Sequence, residues 1–534
     1  MKITKRVSSM GISLIAAGSS VWAFGAQHGL LAQDNLSAGH RPGGHQSASV
    51  LPDGSLPAVP SEERAVAVQV DANLRHQKME GFGATMLSLV TGSFNYADYD
   101  NADNLTPQLR ARAIEAVYGQ VKLNMGNLNL PTLEQRANDD DDPLHLNPGG
   151  FDFRESRFMK EKIVNLARPY GFNNYSLSNN IDFRRQGWLK PIREADYPRY
   201  LDECAEHVLA GVQNWNDSFG SVPPTMMLFN EPLSGNRELQ GGTAQEVVDI
   251  VKRSGARLKA AGFKVKFVVP NEETEAKSLE TVTAIMADPQ ARQYVAAIGY
   301  HPYPYGSPYA SIPQIFKTSG QGQPDAARLK VRDELKALAA RYAVPLWMTE
   351  VSHGEVPLEG MDALRGRAIH IHDELEYADA AAYFGMNALW DSKTHQEHTH
   401  GSRPLSSETD TIALVDDEAK TVTITGMGYA IGHYARWIQR GATRIEAKSD
   451  DPLVLLSAFR DDAARRATLI LINNAQNTKR VSLSINGLSL RGPLQGEQSS
   501  GTARWQKLPS TPSTPNGFQV TLPPQSVTSL TGAY

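Results

Sequence analysis

The sequence predicts an α/β chain: a (β/α)8 TIM barrel followed by a C-terminal β-sandwich side domain that a strand from before the barrel completes. Three observations carry that expectation. Short apolar runs alternate with amphipathic helical segments between about residues 78 and 440. Only short strand-like segments follow, over 441–534. One alternating run, AVAVQVD at 65–71, stands ahead of the barrel with no local partner. Strands that alternate with helices build parallel sheets, and eight such units close a barrel.

The N-terminus comes first. Lys2, Lys5 and Arg6 precede an apolar stretch from Met10 to Phe24 and then small residues around Ala23, Gly25 and Ala26. That order is the one a secretory signal uses, and about 15 apolar residues are too few to span a bilayer. Residues 1–26 are therefore expected to be a signal peptide and the protein to be secreted or periplasmic. Residues 27–64 are rich in Gly, Pro, Ser and His and read as a flexible linker. The strand at 65–77 is assigned to the side domain, 78–440 to the barrel and 441–534 to the sandwich.

Eight barrel strands are expected at Lys78–Ala84, Leu123–Leu130, Asn174–Ser178, Thr225–Asn230, Lys264–Pro270, Ala296–His301, Pro345–Glu350 and Ala381–Trp390. Between them lie helical stripes. Leu201, Cys204, Val208, Val212 and Trp215 share one face, as do Val247, Ile250, Val251 and Leu258, and later Leu335, Leu338 and Tyr342. A doubly wound open sheet would need a Gly-rich phosphate turn after its first strand, and Gly81-Phe82-Gly83-Ala84 lacks the third spaced glycine. After the barrel, strands are expected at Leu453–Phe459, Ala467–Asn473, Arg480–Ile485 and Phe518–Leu522, separated by Asp, Asn-Gly and Pro turns.

Composition narrows the function. Of 534 residues, 41% are hydrophobic and 21% charged, the balance of a soluble globular protein. Lys and Arg number 53 against 58 Asp and Glu, a net charge of −5, so no basic excess exists to meet a phosphate backbone and nucleic acid is not an expected partner. With one cysteine, Cys204, neither an intrachain disulfide nor a Cys-based zinc site can form. No stretch beyond the signal approaches spanning length, so no membrane insertion is expected, and the protein is read as a monomer.

In such a barrel the chemistry sits where the strands end at their C-termini. Strand four ends Phe229-Asn230-Glu231-Pro232 and strand seven ends Trp347-Met348-Thr349-Glu350. These two tips face each other across the mouth. Paired carboxylates across a pocket are the apparatus of glycoside hydrolysis. Trp188 and Trp390 offer flat faces for stacking on a sugar ring. The histidines of His395-Gln396-Glu397-His398-Thr399-His400 read as solvated loop residues, and Asp139–Asp142 lacks the spacing of a calcium loop. No metal or cofactor is expected.

These motifs resemble glycoside hydrolase family 30, within the clan of retaining (β/α)8 glycosidases, from about Val68 to the C-terminus. The resemblance rests on Met79-Glu80-Gly81-Phe82-Gly83-Ala84, the Asn230-Glu231-Pro232 tip, His301 and Tyr303, Trp347-Met348-Thr349-Glu350, and the run from Gly428 to Ile438. It implies Glu231 as acid/base, Glu350 as nucleophile, Asn230 as a donor to the sugar 2-hydroxyl, and His301 and Tyr303 as groups that orient the carboxylates. The substrate it implies is a β-linked oligo- or polysaccharide or glycoside. Two motifs depart from the family. An arginine usual near the end of strand two is replaced by Asn129, and a Pro-rich segment after strand three by Ser178–Phe183, although Trp188-Leu189-Lys190 still resembles the family's next segment. The rival readings are a carbohydrate-binding protein that has lost turnover, and a retaining glycosidase of a sister family. The insertion Pro131–Phe153 and the loops after strands six and eight are expected to shape specificity.

Overall fold

A computed structural model describes residues 64–85, 105–129, 133–134, 140, 142–183, 186–234, 238–303, 326–351, 358–391, 408, 411–416, 418–515 and 517–534. The expected signal peptide, the linker up to Glu63, the loop His395–His400, and part of the Pro131–Phe153 insertion lie outside the described residues. Among the described residues, no helix is long and apolar enough to cross a membrane.

The barrel strands are Gly81–Ala84, Gly126–Asn129, Tyr175–Ser178, Thr225–Met227, Lys266–Glu272, Val295–Tyr300, Leu346–Met348 and Ala380–Gly385. They form one eight-stranded sheet in chain order. Strand one pairs in parallel with strand eight, Phe82 opposite Tyr383. The ring comes round through a bridge between Thr85 and Asn127 that links strand one to strand two. Met125, Met227, Val268, Ala297, Trp347, Ala382 and Phe384 fill its interior, so the site rests on a packed floor. The Gly81-Phe82-Gly83 motif follows from that closure: a Cβ on Gly83 would stand 2.7 Å from the Met125 carbonyl oxygen.

Strands are buried on both faces because helices jacket the barrel. The helix Tyr197–Phe219 illustrates how the sequence builds one. Asp196 caps it by accepting from the Arg199 amide at 3.1 Å, Pro198 sits in its first turn, and Gly220 ends it in the left-handed region. Its buried face carries Tyr200, Cys204, Val208, Val212 and Trp215. Cys204 is thus a core residue of the barrel.

Val66–Lys78 pairs antiparallel with Thr443–Ser449 and parallel with Lys479–Asn486, which places the N-terminal strand inside the side domain. That domain is one ten-stranded sheet that curls on itself. Leu494 and Thr511, near its two ends, exchange backbone hydrogen bonds of 2.8 and 2.9 Å. Val68, Val70, Leu456, Leu469, Leu471, Val481 and Val520 pack inside. Leu455, Phe459, Ile470 and Ile472 point the other way, into the barrel's apolar cluster. Both faces of Val454–Asp461 and Arg466–Asn473 are covered, so these strands read as apolar runs.

Several expected boundaries move. Strand eight stops at Gly385, not Trp390. The chain turns at Asn387, whose φ is 53°, and Trp390 lies in Leu389–Asp391, part of a separate three-stranded sheet with Ala413–Asp416 and Thr421–Ile424. Strand five runs past Pro270 to Glu272, and Lys78 belongs to the side-domain strand.

The helix Gly426–Ala435, which overlaps the family-like run Gly428–Ile438, docks the side domain through His433. Ser529 donates its hydroxyl to the His433 carbonyl (2.9 Å), so it accepts from Nδ1 (2.7 Å), leaving Nε2 to accept from Ser499 (2.8 Å). The imidazole is neutral. Burial, then Arg436 and Arg504, push its pKa down to about 3. Because the folded value lies below the unfolded one, the unfolded chain binds the extra proton as pH falls below about 6.5. Stability is present above that pH and is lost progressively down to about 3. Between pH 7 and 5, His433 is expected to cost about 2 kcal/mol. Urea titrations at the two pH values should show His433→Gln losing that much less than wild type.

Candidate active site

After strand four the chain runs Leu228-Phe229-Asn230 to Glu231, which is buried and holds φ at 60°, a conformation a glutamate rarely adopts. Its amide donates to the Asn271 carbonyl oxygen at 2.8 Å, and its own carbonyl accepts from Ser234. The neighbouring Asn230 is half-buried, with its amide donating to Glu238 at 2.6 Å. Pro232 follows, so the tip is pinned on both sides.

Glu350 ends the run after strand seven. Its side chain keeps 12% of its surface exposed, against 1% for Glu231. Tyr303 donates its hydroxyl to Glu350 Oε1 at 3.1 Å. His301 stands between the two acids, with Nδ1 3.0 Å from Glu231 Oε1 and 4.0 Å from Glu350 Oε1. Ligand atoms of all three lie within 4.8 Å of one another. His301 and Tyr303 meet edge to face, ring centroids 5.9 Å apart.

The segment His301-Pro302-Tyr303 is held from below. Arg328 donates to the Pro302 carbonyl at 3.1 Å while gripping Glu275 with two further bonds of 3.0 Å. Tyr300, next to His301, donates to buried Glu374 at 2.7 Å, and Arg332 pairs with both Glu275 and Glu374. This buried ion network fixes the backbone that presents His301 and Tyr303.

Electrostatics follow from the crowding of acids. Burial alone would lower the His301 pKa, but the charge of Glu350, the hydrogen bond to Glu231 and the charges of Glu231 and Glu272 raise it. His301 therefore holds a proton more firmly than a free imidazole does. Glu272, at the tip of strand five, is pushed up to about 7 by burial and in part by Glu231, against hydrogen bonds from Leu233 and Thr281 and the charge of Lys277. Among the described residues, Glu231, His301 and Glu350 are also the group close enough to share a metal ion, offering three ligand atoms where a tetrahedral site takes four.

The structure thus gathers Glu231, Glu350, His301 and Tyr303. Trp188 begins the helix Leu189–Ala195, half-buried against the barrel core, and Trp390 is 6% exposed in the three-stranded sheet. Asn129 is the last residue of strand two, and its side chain lies outside the described residues. Asp140 accepts from the Asp142 amide and pairs with His145, a local turn. Sequence reasoning missed Asn271, Thr349 and Glu272. The acidic Asn271-Glu272-Glu273 run after Pro270 was the available signal.

A carboxyl at the tip of strand four facing another at the tip of strand seven, on this barrel and with this side domain, decides the comparison. The chain resembles glycoside hydrolase family 30 and has its fold. The sequence is 24% identical over 301 residues to glucuronoxylanase XynC of Bacillus subtilis (strain 168), a match spanning 54% of this chain and 56% of that relative. Among solved structures, a family 30 subfamily 8 xylanase from Clostridium acetobutylicum superposes with a TM-score of 0.61 at 18% identity, covering 88% of this chain and all of that one. An endo-β1,6-glucanase superposes with a TM-score of 0.58 at 17% identity, covering 88% of this chain and 94% of that one. No family model matches the chain. The family 30 fold extends through the side domain, whose curled sheet takes in the N-terminal strand.

Proposed function

We propose that the chain is an exported, retaining β-glycoside hydrolase acting on a β-linked polysaccharide. The observation that carries this reading is the carboxyl pair itself. Oxygens of Glu231 and Glu350 lie within 4.8 Å of one another, in keeping with the roughly 5–5.5 Å of retaining enzymes and well short of the roughly 6.5–9.5 Å that leaves room for water in inverting ones.

Glu350, steadied by Tyr303, attacks the anomeric carbon, and the bond to the leaving oxygen breaks as Glu231 gives that oxygen a proton. The product is a glycosyl ester on Glu350 and a free alcohol. Glu231 then takes a proton from water, the water oxygen bonds to the anomeric carbon, and Glu350 leaves as carboxylate. His301, 3.0 Å from Glu231 Oε1, holds that carboxyl in place through both steps. Two inversions give net retention.

The sugar is a separate question, because relatives on this fold cleave xylan in one case and β-1,6-glucan in another. A panel of xylans, glucuronoxylan, β-glucans and aryl β-glycosides should contain at least one substrate. With it, proton NMR of the earliest product should show the β-anomer. An α-anomer appearing first would overturn retention, and saturable binding with no hydrolysis on the whole panel would favour the carbohydrate-binding reading.

A further inference from the structure

We propose that Asn271, tied to Thr349, is the positioning residue that sets the separation of the two carboxyls. This rests on the reading of Glu231 and Glu350 as the catalytic pair. Asn271 is buried near the tip of strand five and holds φ at 60°, which asparagine tolerates better than most residues. Its backbone carbonyl accepts from the Glu231 amide at 2.8 Å. Its side-chain Nδ2 donates to the Phe229 carbonyl at 3.2 Å and the Val268 carbonyl at 2.9 Å. Its Oδ1 accepts from the Thr349 hydroxyl at 2.9 Å. Both amide protons and the amide oxygen are therefore used.

Those bonds join strand five to the segments that follow strands four and seven. Phe229 lies two residues before Glu231, and Thr349 is the residue before Glu350. A single side chain thus connects the backbone that carries the acid/base to the backbone that carries the nucleophile. Thr349 is held on its other side too, where the Tyr300 carbonyl, adjacent to His301, accepts from the Thr349 amide at 3.0 Å. The same linkage reaches the histidine between the two acids.

Strand six is shaped around this amide. A Cβ at Gly299 would stand 1.9 Å from Asn271 Oδ1, so the amide fits only because position 299 has no side chain. A side chain needed merely to satisfy two carbonyls would not require the bond to Thr349 or the space at Gly299. Catalytic rate is steep in geometry, since a displacement of about 1 Å can cost about 100-fold.

The test uses Thr349→Val, which keeps shape and removes the hydroxyl, Thr349→Ser, which restores it, and Asn271→Ala. Crystal structures of the full chain should show the Glu231–Glu350 distance changed by more than about 0.5 Å in the Val and Ala variants and restored in the Ser variant. On the best substrate from the panel, kcat should fall about 100-fold in the Val variant while KM stays within about threefold, and the Ser variant should recover most of it. Should Asn271→Ala fail to fold, the Thr349 pair still decides. An unchanged separation together with an unchanged kcat in Thr349→Val overturns the proposal. A changed separation in a protein that hydrolyses nothing upholds the positioning role and overturns the catalytic reading, so the two fail separately.

Discussion

Glu350→Gln is expected to abolish turnover, lowering kcat by a factor on the order of 10⁴–10⁶, while leaving the fold intact. The substitution keeps side-chain volume and an acceptor oxygen for the Tyr303 hydroxyl, which now donates to Glu350 at 3.1 Å. What it removes is the oxygen proposed to act as nucleophile. An amide does not form the glycosyl ester, so the reaction loses its first step and keeps only substrate binding and the proton of Glu231. The fold should hold because Glu350 is the more exposed of the two acids and the buried ion network around Arg332 does not depend on it. The measurement is single-turnover hydrolysis of an activated aryl β-glycoside beside a thermal melt. Activity within tenfold of wild type, from protein with a native melt, would remove Glu350 from the mechanism. Oligosaccharide binding that survives the loss of turnover would separate a disabled catalyst from a damaged one.

How much of this was legible in the sequence depended on where each residue finds its partners. The tips of strands four and seven could be read because each is an apolar run that ends in an acid, and the burial that makes the run apolar is local. Strand five could not be read past Pro270, which lacks an N–H and reads as a terminator. It continues because Asn271 supplies side-chain hydrogen bonds where the ladder shifts register, to strands that are distant in sequence. Strand eight was read too long because Ala380–Trp390 is almost continuously apolar. The break comes from the left-handed turn at Asn387 and from the Met386 amide donating to the Val351 carbonyl, beyond the end of strand seven. In the side domain, Arg491–Ser500 was missed because RGPLQGEQSS has little strand propensity. Leu494 apart, its buried side chains are polar: Glu497 accepts from Arg436 at 2.9 and 3.0 Å and from the Trp437 indole at 3.0 Å, and Ser499 meets His433. Hydrophobic periodicity cannot report a strand that docks through ion pairs.

Glu231→Ala is expected to split the reaction by leaving group. For a poor leaving group such as a sugar hydroxyl, loss of the acid should cost about 10²–10⁴-fold, because the oxygen must otherwise depart as an alkoxide. For 2,4-dinitrophenolate, which departs without a proton, the glycosylation step should be nearly unaffected. Deglycosylation then limits, since no base remains to take the proton of water, and the glycosyl ester on Glu350 should accumulate as a burst. Azide needs no base. It should attack the anomeric carbon, release Glu350 as carboxylate and restore turnover. Two inversions make the expected product a β-glycosyl azide. If the roles of the two acids were reversed, Glu231→Ala would remove the nucleophile, azide would attack once from the vacated face, and the product would be the α-azide. The backbone does not confuse the result: position 231 holds φ at 60°, where alanine is strained to much the same degree as glutamate, so the substitution neither relieves nor adds conformational cost. The anomer of a single product therefore assigns both carboxyls at once, and it does so through chemistry that a purely structural role for Glu231 would leave untouched.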